Sequence, residues 1–185
     1  MNKKISEDFW LRVDDEITLR LPTIGDAETL FALVDKNREH LREFLGWVDS
    51  SNEVADTRTF IQEGLPQWLQ LQSLHLSILK NDLLVGAIGF HNIDFLNHST
   101  SMGYWLDKEQ EGKGIMMKCA KFLIDYGFNS LKLHRIEIRC AINNIRSQNI
   151  AQSLGFQKEG VLKDAIHHYG EYFDAVLYSL IALDT

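Results

Sequence analysis

Apolar and polar residues alternate from Glu16 to Leu21 (EITLRL), and that period of two predicts a strand. Thr23 then stands as a helix N-cap, with Asp26 three residues on at the acidic position of a capping box. Ala27, Leu30, Phe31, Val34 and Leu41 recur at helical spacing and predict a helix to about Phe44. A second helical stretch covers Val54 to about Gln72, with Pro66 expected to kink or split it. Leu74 to Leu79 and Leu83 to Phe90 predict two strands joined at Asn81–Asp82 as a hairpin. The second of these, LLVGAIGF, is nearly all apolar and is expected to be buried on both faces. A short strand follows at Ser101 to Leu106, then a helix with Ile115, Cys119, Phe122 and Tyr126 on one face. Leu133 to Ala141 predicts a strand with Ile136, Ile138 and Cys140 on its apolar side. A short helix from about Ser147 to Leu154 should end at Gly155–Phe156, a C′ glycine followed by an apolar residue. Val161 to about Ile166 and Phe173 to Leu183 predict the last strands.

This order of elements predicts a mixed α/β sheet with helices on both faces. It lacks the regular βαβ alternation of a doubly wound nucleotide fold. No repeat or Ser/Gly linker interrupts it, and 185 residues suit a single domain over 1–185.

Composition narrows the function. Hydrophobic residues are 45% and charged residues 24%, which is globular rather than disordered. A net charge of −7 argues against a nucleic-acid binder and leaves room for a cationic or amine substrate. The 2 cysteines, Cys119 and Cys140, lie in apolar runs without a CxxC pair, so a reducing compartment is expected. Met1 to Trp10 carries Lys3 and Lys4 but no long apolar segment, and no run approaches a membrane span. The expected location is the cytoplasm.

The most informative stretch is Gly103-Tyr104-Trp105-Leu106-Asp107, then Glu111-Gly112-Lys113-Gly114-Ile115-Met116, then an amphipathic helix. A strand ends, a glycine turn follows and a helix begins. The first turn of a helix has unpaired N–H groups and a positive dipole end, and glycines let backbone approach a bulky anion. That combination suits a phosphate or pyrophosphate. A Walker A loop is excluded because Gly114, not Ser or Thr, follows Lys113; a Rossmann fingerprint would need further glycines where Met116 and Met117 stand.

At these residues the chain resembles the GNAT superfamily of acyl-CoA-dependent N-acetyltransferases, whose Q/R-x-x-G-x-G/A signature falls on Glu111 to Met116. Asn144-x-x-Ser147, Leu154-Gly155-Phe156 and Glu159-Gly160 extend the match downstream. The G-Y-W-L-D, E-G-K-G-I-M and L-G-F-x-x-E-G strings are most similar to the Rim-type ribosomal-protein N-terminal acetyltransferases. The resemblance implies a central, mostly antiparallel twisted sheet with acetyl-CoA as cosubstrate and no metal. Pantetheine would pair with the backbone of Tyr104, Trp105 and Leu106, and Gly103 would mark a bulge. The pyrophosphate would sit on the amides of Gly112, Lys113, Gly114, Ile115 and Met116, with Asn144 and Ser147 at the thioester end. The implied acceptor is the N-terminal α-amine of a ribosomal protein, attacked directly in a ternary complex. A small amine such as a polyamine or aminoglycoside, and an idle acyl-CoA-binding module, are the alternatives; a homodimer is left open.

Departures from the family pattern touch the chemistry. Glu111 stands where Gln or Arg is usual, so its carboxylate is expected to point away from the pyrophosphate. The position of a tyrosine acid is Ala151, and that of a glutamate base is Ser101. An α-amine has a pKa of roughly 7.7–8.0 against about 10.4 for lysine, so a strong base is less necessary for an N-terminus. Ser147 could donate a proton to the departing thiolate or merely cap the next helix. Cys140 reads as a core thiol, with a covalent acetyl carrier as its sharper alternative. Of the 7 histidines none has metal-ligand spacing, and His91, which could face a cleft, is expected to be a hydrogen-bonded structural residue, with His91 and His168 the fallback bases. Trp47, Trp68 and Trp105 are expected in core or cleft, Trp105 at the pantetheine edge. The acidic run Glu109 to Glu111 reads as a solvated turn.

Overall fold

In the computed structural model, which describes residues 4–183, the chain is built on one eight-stranded sheet. Met1 and Lys3, and the ends of the range 1–185 named above (residues 1–3 and 184–185), lie outside the described residues. The strands are β1 (Trp10–Arg12), β2 (Ile17–Arg20), β3 (Leu74–Lys80), β4 (Leu83–Asp94), β5 (Ser99–Leu106), β6 (Arg135–Ala141), β7 (Gln157–His168) and β8 (Glu171–Ile181), in the order β1-β2-β3-β4-β5-β6-β8-β7. The helices are α1 (Ala27–Lys36), α2 (Arg38–Arg42), α3 (Val54–Leu69), α4 (Ile115–Asn129) and α5 (Ile145–Ser153).

Neighbouring strands are antiparallel throughout, except β5 and β6. That parallel pair is short: Ser99 to Ser101 meet Arg135 to Glu137, and then the strands part. β5 stays paired to β4 as far as Leu106, and β6 to β8 as far as Ala141. A wedge therefore opens in the middle of the sheet, edged by backbone groups that the ladder does not use. Such groups seek partners.

Helices cover both faces. His75 stacks on Trp68 and meets Phe60 edge-on, both from α3. It pairs with Gly89, whose neighbour Phe90 instead packs at Gly127 of α4. Successive strand residues point to opposite faces, so α3 and α4 lie on opposite sides of the sheet. Val85 to Phe90 are all buried, as the unbroken apolar run of β4 requires. The hairpin turn at Asn81 and Asp82 has φ of 48° and 63°. Both values suit the mirror-image turn that matches strand twist, and Asn and Asp tolerate it. Among the described residues no helix is long and apolar enough to cross a membrane.

The structure departs from the sequence expectations in several places. The helix expected to reach Phe44 breaks at Asn37, because its side chain is engaged elsewhere. Asn37 Nδ2 donates to the Leu33 carbonyl at 2.9 Å, and its Oδ1 accepts from the Lys108 amide at 3.0 Å, which fastens the break to the loop after β5. Pro66 does not split α3, which runs unbroken to Leu69. Only one amide donor is lost there, and the Pro66 carbonyl still accepts from Gln70. β1 is a further short strand, too brief to show a period. Gly103 is no bulge: it pairs in register with Gly89.

The start of α1 is anchored by charge. Asp26 accepts from the Thr23 amide at 2.6 Å and hydroxyl at 2.9 Å, and receives both Arg20 nitrogens at 2.7 Å. Burial pushes the Asp26 carboxyl up, but these donors outweigh it and hold the pKa at about 2 instead of 3.8. A depressed carboxylate stabilises the fold fully above the unfolded value and loses that contribution as pH falls through the folded one. Asp26→Asn should therefore cost about 2 kcal/mol at pH 7. The difference from the native chain should vanish between about pH 4 and pH 2, as followed by urea unfolding across that window.

Candidate active site

Two clefts meet at β5. The larger, about 690 Å³, runs from the glycine turn past Tyr104, Trp105 and Leu106 to the start of α5. The smaller, about 480 Å³, lies between β3–β5 and the α1 and α3 side. Leu45, Tyr104 and Trp105 line both.

At the larger cleft the chain turns through Gly112 (φ 72°) and Gly114 (φ 75°) into α4. Both angles are left-handed, where a Cβ is strained. A Cβ on either residue would meet nothing within 4 Å, so the space over the turn is open. Gly114 caps the helix, and its carbonyl takes the first intrahelical bond, from Lys118 at 3.1 Å. The amides of Ile115, Met116 and Met117 are left for a ligand, as first-turn amides are in any helix. This is a cradle for an anion. The head of Lys113 is not in it: Nζ donates to Gln110 at 3.1 Å and the residue is exposed.

Glu111 is neither free nor merely solvated. Its carboxylate bridges His40 Nε2 at 2.7 Å and Arg146 at 3.0 Å, joining α2 to α5 across the cleft. Both partners line the cleft with it. The rest of that acidic run is also engaged, since Glu109 pairs with Lys36 at 2.8 Å. Sequence reasoning missed Arg146; its only signal was a cation between Asn144 and Ser147.

α5 begins two residues earlier than expected, so Ser147 is not its cap. Asn144 is the cap, its Oδ1 accepting from the Ser147 amide at 3.1 Å. The Ser147 hydroxyl is thereby free to face β5, where it lies 3.0 Å from the Tyr104 hydroxyl. Burial pushes Tyr104 up to about 12, with Ser147 pulling slightly the other way. A phenol held that high is a proton donor at neutral pH. Ala151 is fully buried, and the phenol beside Ser147 is that of Tyr104 on β5. Cys140 is buried beside Ser147, outside the lining of both clefts, and burial pushes its thiol up despite the Ser147 contact. It is therefore a thiol and not a thiolate at neutral pH.

The smaller cleft is aromatic. Trp47 and Trp105 meet at 6.2 Å between centroids, and Phe60 and His75 line the floor. Its one carboxylate, Asp56, takes the Asn52 and Glu53 amides at 2.8 and 3.0 Å and so caps α3. Trp68 is core. His91 is not the hydrogen-bonded structural histidine the sequence suggested: its ring opens into this cleft, and its nitrogens have no partner among the described residues. His168 lies in neither cleft and stacks on Phe173 at 4.6 Å. Ser101 only approaches the His91 carbonyl, at 3.4 Å.

Comparison with known proteins fits this arrangement. Residues 16–157 match the family model described as an acetyltransferase (GNAT) domain. The ribosomal-protein-serine acetyltransferase of Escherichia coli (strain K12) is 31% identical over 92% of this chain and 96% of its own. The crystal structure of the RimL ribosomal L7/L12 α-N-protein acetyltransferase, with coenzyme A held as a disulfide to a cysteine, superposes with a TM-score of 0.90 at 26% identity, over 94% of this chain and 98% of the other. The microcin C7 self-immunity acetyltransferase MccE, solved with acetyl-CoA and AMP, gives a TM-score of 0.88 at 30% identity, covering 92% and 94%.

Gly114→Asp should force a side chain into the left-handed position and set a carboxylate over the anion cradle. Coenzyme A affinity, measured by calorimetry, should fall at least tenfold, about 1.4 kcal/mol. Unchanged affinity in a folded variant would remove the cradle from the site.

Proposed function

The chain belongs to the GNAT acetyltransferase family, and on that premise we propose that this acetyl-CoA-dependent N-acetyltransferase acetylates the α-amine of a protein N-terminus, a ribosomal protein in particular. One observation carries the reading. The two clefts share Tyr104 and Trp105, so a thioester in one and an amine in the other meet at a single strand. The likeness to the ribosomal-protein-serine acetyltransferase along nearly the whole chain supports the acceptor, and the net charge of −7 suits a basic protein.

In this reading acetyl-CoA lies in the larger cleft. Its pyrophosphate takes the amides of Gly112 to Met116, and its pantetheine pairs with the free edge of β5 at Tyr104 to Leu106. The neutral amine attacks the thioester carbonyl, the C–N bond forms and the C–S bond breaks. Ser147, backed by the Tyr104 hydroxyl, protonates the leaving thiolate. The protonated state of Cys140 favours this direct attack over an acetyl-cysteine intermediate. The residues over 1–185 act as one catalytic domain. A second reading, transfer to a small amine, is favoured by the ring-lined smaller cleft, which would hold a flat or cationic body against Trp47 and Trp105.

Peptides with a free N-terminal serine should be acetylated, and the same peptides blocked at the α-amine but carrying an internal lysine should not. Mass spectrometry of the products checks this; equal reaction of the blocked peptides would make the N-terminal acceptor wrong. Ser147→Ala should lower turnover roughly 10²-fold. Asn144 keeps the helix cap, so the melting temperature should fall only by what the lost Tyr104 hydrogen bond contributes, and a fall in stability with full turnover would return Ser147 to a structural role.

A further inference from the structure

We propose that His91 is the catalytic base that receives the proton of the attacking amine, from its place over Gly103 on the acceptor side of β5. The inference rests on the acetyl-transfer reading above and adds a residue to it. A Cβ on Gly103 would lie 2.7 Å from His91 Nε2, so the glycine leaves the strand bare where the imidazole rests. Gly103 is also two residues past Ser101, the last position paired to β6, so the ring stands at the mouth of the wedge. On the next residue, Tyr104, the side chain turns to the other side of the strand and meets Ser147. One strand thus separates a proton acceptor from a proton donor.

The other titratable groups on the elements packed beside the ring are enclosed, engaged or held protonated. His75, from β3, is enclosed by Phe60 and Trp68, and burial with the neighbouring His91 lowers it to about 4. Asp56, from α3, holds backbone amides. Glu137, from β6 in register with Ser101, is paired through both oxygens with Arg135 at 2.9 Å and Arg139 at 3.0 Å. Tyr104, from β5, stays protonated. The His91 ring nitrogens have no hydrogen-bond partner among the described residues, and burial in the cleft shifts it below the ordinary 6.5, so it is neutral at pH 7.

The step balances. The amine lone pair forms the C–N bond, and the nitrogen, now cationic, gives its extra proton to His91 Nε2. The adduct collapses with C–S cleavage, and the thiolate takes a proton from the Ser147–Tyr104 pair. His91 releases its proton to water through the open cleft while the hydroxyl pair regains one, leaving an amide and a free thiol.

The test is the pH dependence of kcat for the native chain and His91→Gln, with a serine-starting peptide and a simple primary amine as acceptors. A base must be neutral, so the native rate should fall as pH drops through a value below 6.5. That limb should stand at the same pH for both acceptors and coincide with the His91 imidazole titration read by NMR. His91→Gln should lose the limb and about 10²-fold in turnover at pH 7.5, with coenzyme A affinity unchanged. Turnover within a few-fold of native, or a limb that persists in the variant, overturns the proposal. Should the variant not fold, a limb that fails to coincide with the native His91 titration overturns it equally. Acetylation of the amine but not the peptide defeats the N-terminal acceptor alone, and the base is then read on the amine.

Discussion

The parting of β5 from β6 is the constraint on which the rest of the site depends. A parallel pair needs a crossover, here α4, and this pair spends its register on three residues before the strands diverge. Beyond that point each strand is held by its outer neighbour, so the gap is fixed by two antiparallel ladders rather than by a flexible loop. An unfilled backbone edge inside a sheet is unfavourable unless something pairs with it. The fold thus carries a vacancy shaped like a strand, and both clefts open onto it.

Much of this was legible beforehand, for reasons that differ by element. Strong periods and turn chemistry placed β3 to within a residue and the starts of β4 and α4, though β4 runs four residues past the expected Phe90, and the glycine turn announced itself because left-handed backbone next to a helix start leaves few residue choices. The break at Asn37 was not legible, since its cause is a hydrogen bond to Lys108, 71 residues away. The same holds for Tyr104. Its place in GYWL marked it as backbone for a ligand, but its hydroxyl acquires meaning only when α5 packs across and brings Ser147 to 3.0 Å. Gly103 was misread as a bulge because a glycine in a strand signals close approach without saying of what; the approaching group is the His91 ring.

Charge is deployed sparingly around the reacting centre. The carboxylates Glu111, Glu137 and Asp56 are each bound to cations or amides, and the phenol of Tyr104, the hydroxyl of Ser147 and the imidazole of His91, which flank β5, are neutral at pH 7. A neutral lining suits a reaction whose reactants are an uncharged amine and an uncharged thioester. It neither holds the amine in its unreactive ammonium form nor repels the thiolate that departs.

The Asn37 side chain has a mechanical consequence. One amide arm holds the end of α1, which walls the smaller cleft through Leu30 and Val34, and the other holds the segment that leads into the glycine turn. Lys36 doubles the fastening with contacts of 3.0 Å to Asp107 and 2.8 Å to Glu109. The wall of one cleft and the approach to the glycine turn of the other are therefore fastened at one joint, and a substitution at Asn37 would loosen both at once.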